Sequence, residues 1–221
     1  MSDSILFCDN HLLIANKESG LLTQADKSGE ASLETLAKEW VKEKYGKPGD
    51  VFLHAVHRLD RPTSGIVLFA RTSKALARLN AAFREQKMEK VYLAVVEGTL
   101  KEPAGILEHW HLHGAHKALV SLEEVQGSKR AILHYRLLKS NDGFSLLEIR
   151  LKTGRYHQIR AQLSAIGHPI VGDQKYGSFR SLDLGNIALH HTHFSFFHPT
   201  SLTKLSFEAA PPPFWPFTLL N

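Results

Sequence analysis

One cysteine, two methionines and no long apolar run mark this 221-residue sequence. The lone Cys8 cannot close a disulfide within the chain. That excludes a disulfide-stapled secreted scaffold and points to a reducing compartment. No apolar stretch approaches the roughly 20 residues a membrane-spanning helix requires, so no membrane partner is expected. Met1-Ser2-Asp3-Ser4 lacks the basic start of a signal peptide, and a cytoplasmic monomer is the expectation. Internal repeats, a phosphate-cradling glycine loop and a linker long enough to separate domains are all missing. One domain over residues 1–221 follows, in a chain with 43% apolar and 22% charged residues, ordinary for a soluble globular protein.

The charge has a location. The net charge is +5, and the segment 57–90 carries eight basic residues (Arg58, Arg61, Arg71, Lys74, Arg78, Arg84, Lys87, Lys90) against three acidic ones (Asp60, Glu85, Glu89). The other 19 basic and 19 acidic residues cancel. A local positive patch attracts a polyanion and steers its approach. A helix face solvated by Lys and Arg is the plainer reading of the same residues.

Taken in order, Ile5-Leu6-Phe7 and Leu12-Leu13-Ile14-Ala15 flank Asp9-Asn10 and read as a hairpin. Leu33, Leu36, Ala37, Trp40, Val41 and Tyr45 have helical spacing, with Ser32 as N-cap and Gly46, Pro48 and Gly49 as the stop. Phe52 to Val56 and Ile66 to Ala70 read as strands. Thr72 or Ser73 caps a helix reaching about Gln86, and Val91 to Val96 is a strand by its β-branched content. In 101–130, His109, His111 and His113 alternate on one strand face. They form no metal-ligating set, since no cysteine or carboxylate completes it, and the stretch reads as an exposed hairpin or a loop facing the polyanion. Ala131 to Leu138 and Phe144 to Leu151 join through Asn141-Asp142-Gly143. A short helix with Ile159, Leu163 and Ile166 ends at Gly167. Asp173 to Gly177 is a turn, 187–197 and 202–207 form a last hairpin, and Pro211-Pro212-Pro213 ends regular structure. The pattern predicts an α+β fold, a mixed, largely antiparallel sheet flanked by helices.

Chemistry concentrates in His57-Arg58-Leu59-Asp60-Arg61-Pro62-Thr63-Ser64-Gly65. Pro62 fixes its own φ and pushes Arg61 out of the helical region, while Gly65 is free to take a backbone shape other residues avoid. Asp60 is thereby placed on a stiff loop at a strand edge, between two arginines. By itself it reads first as a turn aspartate bonding its own backbone.

The stretch His57-Arg58-Leu59-Asp60-x-x-Thr63-Ser64-Gly65 resembles the signature of the RluA-type family of RNA pseudouridine synthases. Lys90-x-Tyr92-x-Ala94-x-Val96-x-Gly98 and Thr153-Gly154-Arg155-x-His157-Gln158-Ile159-Arg160 resemble two further family segments, in the right order. Asn16-Lys17-x-x-Gly20-Leu21 is a fourth, with Glu18 and Ser19 where the family usually has Pro and Ala. The resemblance runs from about Ile5 to the end and implies the α+β pseudouridine synthase catalytic fold. Family members often carry an accessory RNA-binding domain before the catalytic one; the match here begins almost at Met1, so none is expected.

The resemblance also implies roles. Asp60 is the nucleophile, Arg160 its ionic partner, and Tyr92 the ring that stacks on the target base and accepts a proton. Arg58 fills the space of a flipped base. His57, Arg61, Thr63, Arg155, His157 and Gln158 are expected to bind substrate, which is ribosomal or transfer RNA. The reaction moves the bond from uracil N1 to C5 without redox change, so no cofactor and no metal are implied. Gln162 and Leu133 depart from the family, where His and Thr are frequent, and bear on substrate contacts. A non-catalytic RNA-binding protein on the same scaffold is the alternative, which the joint presence of Asp60, Tyr92 and Arg160 opposes. A hydrolytic glycosidase would need a second carboxylate flanking the bond, and none lies in the matched motifs.

Overall fold

The computed structural model describes residues 1–141, 143–213 and 215–216. They divide into two compact units, residues 1–89 with 191–210, and residues 90–190 with the C-terminal segment from 211.

In the first unit β1 (Ile5–Cys8) and β2 (Leu12–Lys17) form the expected hairpin. The Asp9 carboxylate closes the turn by accepting from the amides of His11 and Leu12, each at 2.7 Å. β2 pairs antiparallel with β4 (Ser64–Ala70), and the order continues through β10 (Leu189–Phe197) to β11 (Lys204–Glu208). α1 (Leu33–Lys44) starts where expected, with the Ser32 side chain accepting from Thr35 N. α2 (Ser73–Arg84) is capped by Thr72 and buries Ala75 and Leu79. Those two residues join Leu12, Ile14, Ile66, Leu68, Phe194 and Phe196 in one apolar core.

The expected strand over 52–56 shrinks to β3 (His54–Ala55), which pairs with β4. The Glu34 carboxylate accepts from Ala55 N at 3.1 Å and takes up the donor a further strand would use. Gly65 has φ +117°, and a Cβ there would lie 2.4 Å from the carbonyl oxygen of His191. Only glycine lets the start of β4 lie that close to the backbone of β10.

The second unit orders its strands β5-β9-β8-β6-β7, namely β5 (Glu89–Glu97), β9 (Phe144–Leu151), β8 (Lys129–Ser140), β6 (Ala104–His113) and β7 (Ala118–Ser121). All these pairings are antiparallel. The β8–β9 turn is closed by Asn141 Oδ1, which accepts from Gly143 N and Phe144 N; Asp142 lies outside the described residues. α3 (Gln158–Ala165) follows β9 and ends before Gly167 at φ +82°.

The hairpin expected in 101–130 is β6–β7, but of its three alternating histidines only His113 is exposed. His109 and His111 are buried, against Gln162 and the Tyr156 carbonyl respectively. Period-two spacing shows that these side chains share a face without showing which face is covered. No helix in the described residues is long and apolar enough to cross a membrane.

Candidate active site

Asp60 stands half-buried on a loop that a second loop straps down. The straps come from residues 17–23. Lys17 is 1% exposed, and its Nζ donates to the carbonyls of Glu18 (2.9 Å), Leu21 (2.7 Å) and Arg61 (3.1 Å). Gly20 N donates to Arg61 O, and Ser19 Oγ to Pro62 O at 2.6 Å. The serine that departs from the family pattern therefore makes a bond that alanine could not. Thr23 Oγ1 donates to Leu59 O and accepts from Leu59 N. Thr63 N closes the turn by donating to Asp60 O at 3.0 Å. Every residue from Leu59 to Thr63 is thus fixed through its backbone in a rigid turn.

Burial lowers the Lys17 pKa from 10.5 to about 7, with the Asp60 carboxylate acting to raise it and Arg61 to lower it. The unfolded chain keeps this proton up to about 10.5. Between those values the native state binds fewer protons, so stability is gained as pH rises from about 7 and lost as pH falls through it. The whole interval is worth on the order of 5 kcal/mol. Lys17→Met is expected to flatten this limb, because methionine neither titrates nor fills the three carbonyls. Urea midpoints of both proteins at about pH 6 and about pH 9 measure it. Equal pH dependence in the two proteins would show that Lys17 does not titrate in this range.

The other residues singled out in this motif take different positions. His57 lies in the apolar core, stacked on Phe83 and edge-on to Phe194, with Nε2 accepting from Leu68 N at 3.3 Å. Arg61 is held by Glu30 through two bonds of 2.9 and 2.6 Å and donates to Gly20 O through Nε. Arg58 is exposed. Thr63 is 2% exposed, and its hydroxyl has no hydrogen-bond partner among the described residues. Lys74, Arg78 and Arg84 are exposed on α2, and Arg78 donates to the Pro199 carbonyl.

The second unit holds the rest. Tyr92 is 6% exposed on β5, opposite Ile149. Lys90 is buried, and burial lowers its pKa. Arg155 is exposed and donates to Arg130 O. Gln158 Oε1 accepts from Arg155 N and Thr153 Oγ1, and its Nε2 donates to Gln162 Oε1. Gln162 Nε2 in turn points at Leu107 O and Ala131 O. This chain of amides ties the start of α3 to β6 and β8.

Arg160 is 4% exposed and meets a second carboxylate that no motif marked. Its Nε donates to Asp173 Oδ2 at 2.7 Å and a terminal nitrogen to Oδ1 at 2.9 Å. The guanidinium also lies over the Tyr176 ring, 5.0 Å from its centre. Tyr176 OH accepts from Ala118 N and lies 2.9 Å from His157 Nδ1. Burial, with Arg160 and Lys175 nearby, lowers the His157 pKa to about 3, against Asp173. His157 is neutral at working pH, and its left-handed backbone (φ 53°) turns the chain into α3. Among the described residues no group of three or more His, Cys, Asp or Glu is placed to hold a metal ion.

The residues of the signature loop thus stand on a largely antiparallel α+β scaffold, and Arg160 is fixed in a buried ion pair. The profile of the family described as RNA pseudouridylate synthase matches residues 11–165, and the chain belongs to that family. It is an isomerase that converts uridine to pseudouridine in RNA. The ribosomal large subunit pseudouridine synthase D of Zymomonas mobilis is 32% identical over 94% of this chain and 69% of that protein. The tRNA pseudouridine synthase C of Pectobacterium carotovorum is 30% identical over 93% of this chain and 58% of that protein. The solved structure of Human RNA Pseudouridylate Synthase Domain Containing 4 has the same fold, with TM-score 0.80 at 22% identity over 97% of this chain and 90% of that one.

Proposed function

We propose that Asp60 is the nucleophile, Arg160 its ionic partner and Tyr92 the ring that receives the target base, in a monomeric cytoplasmic enzyme acting on ribosomal or transfer RNA as one catalytic domain. The observation that carries the reading is the braced Asp60 loop. Five successive residues, Leu59 to Thr63, are tied through their backbone by partners on residues 17–23 or within the turn. A nucleophile needs that preorganisation, whereas a surface turn does not.

The chemistry sets the demands. The bond from uracil N1 to ribose C1′ breaks, the base rotates, and a bond from C5 to C1′ forms. The C5 proton leaves and N1 gains one, so atoms balance with no oxidant, hydrolysis or cofactor. Asp60 supplies the covalent partner, and Tyr92 accepts the proton. The uridine must leave its stack to reach the carboxylate, and exposed Arg58 is the residue that fills the gap. Arg155 and the exposed cations of α2 contribute contacts to phosphates.

The relatives named for ribosomal and for transfer RNA supply the two substrate classes. Mapping pseudouridines in total RNA from cells with and without the gene decides between them. At least one site is expected to disappear and to return with the wild-type gene. An unchanged map would remove both substrates.

A further inference from the structure

The segment that holds Arg160 does not end at Tyr176. Three residues further on it leaves Phe179 74% exposed and, at 184, a leucine 95% exposed at φ 59°. This loop is not slack. Glu97 at the end of β5 is 4% exposed, and its carboxylate accepts from Ser178 Oγ (2.6 Å), Phe179 N (3.1 Å) and Arg180 N (3.1 Å). Three successive residues are thus clasped by one buried anion, and moving the loop would strand that charge without donors. Ser178 and Tyr176 point inward, while Phe179 and Arg180 point out. The Arg180 guanidinium lies 4.7 Å from the Phe144 ring and 5.9 Å from the Phe179 ring. Lys175 and Arg180 against Asp183 leave residues 175–184 net basic.

We propose that this clasped loop is a second RNA contact, at which the Phe179 ring stacks on an unpaired base of the substrate outside the target uridine. A rigidly presented ring has little entropy to lose when a base covers it. Arg180 beside it meets the neighbouring phosphate and adds a cation–π contribution. The basic balance of the loop favours a polyanion over an apolar protein partner. Continuity with Asp173 and Tyr176 puts the ring on the segment that fixes Arg160. The proposal rests on RNA being the substrate, and it names which feature of RNA the protein reads: a splayed base near the modified one.

The test compares Phe179→Ala, Phe179→Leu and Phe179→Trp with wild type. One arm measures binding to a short single-stranded RNA carrying one 2-aminopurine, whose fluorescence falls when it stacks. The other measures pseudouridine formation on RNA purified from cells lacking the gene, over a range of RNA concentrations. Phe179→Ala is expected to raise the half-saturating RNA concentration roughly tenfold and to leave the rate at saturation unchanged. Trp restores both the affinity and the quenching, and Leu restores neither, because it keeps apolar area without a π face. Wild-type affinity in the Leu or Ala variant overturns the proposal. So does unchanged RNA binding together with a change in self-association on sedimentation, which would assign the ring to a protein contact. If wild-type protein makes no pseudouridine on any RNA, the isomerase reading fails, and the fluorescence arm still decides this proposal.

Discussion

Replacing Asp60 with asparagine is expected to abolish product, with a loss on the order of 10⁴-fold or more in the single-turnover rate, while RNA binding stays within about twofold. Asparagine keeps the shape and loses the lone-pair charge that makes a covalent bond. The fold is expected to tolerate it. The braces on this loop engage main-chain atoms, including Asp60 O, and the half-buried side chain is not needed for any of them. One secondary effect follows from Lys17. The Asp60 carboxylate raises the pKa of that ammonium, so its removal lowers the pKa further and shifts the pH-dependent stability limb toward acid. Product is measured by base-resolution pseudouridine detection on RNA from cells lacking the gene. Turnover by Asp60→Asn within tenfold of wild type would take Asp60 out of the mechanism.

Much of this was legible from local sequence. Asp9-Asn10 in the first hairpin, Ser32 as an N-cap and Gly65 at a crowded strand start each act within a few residues of themselves or through a backbone angle only glycine adopts. What escaped reading depends on contacts across distance. Asp173 sits in a turn motif, and nothing nearby distinguishes a turn aspartate from one that holds an arginine 13 residues earlier. Lys17 reads as a strand-end lysine until its ammonium is seen buried against three carbonyls. Glu34 lies in the first turn of α1, and only the fold shows its carboxylate accepting from Ala55 N. The histidines of β6 show the limit of periodicity. Their spacing was read, yet Ile106 lies outward at 60% exposure while His109 and His111 lie inward, because Gln162 and the Tyr156 carbonyl offer polar partners there. Glu97 carried no signal in sequence for the same reason: its three donors follow 81, 82 and 83 residues later.

Arg160 carries two roles that a single substitution confounds. Within its own unit it neutralises Asp173 in a bidentate pair, with both side chains buried. In the proposed mechanism it also serves Asp60. Arg160→Met leaves Asp173 buried without its cation, and removing one partner of such a pair costs about 3–5 kcal/mol. A loss of activity in this variant alone therefore says nothing about catalysis. The double variant Arg160→Met with Asp173→Asn separates the roles. It removes both charges and retains amide hydrogen bonding, so most of the lost stability is expected to return, as when buried pairs are replaced by neutral groups of similar volume. Activity is expected not to return, staying at least about 10²-fold below wild type. Arg160→Lys is the third member of the set. It keeps the charge but not the two-pronged contact, so partial stability and partial activity are expected. Urea denaturation and single-turnover pH–rate profiles of the four proteins measure both effects. A double variant that regains stability and wild-type activity together would confine Arg160 to its pair with Asp173.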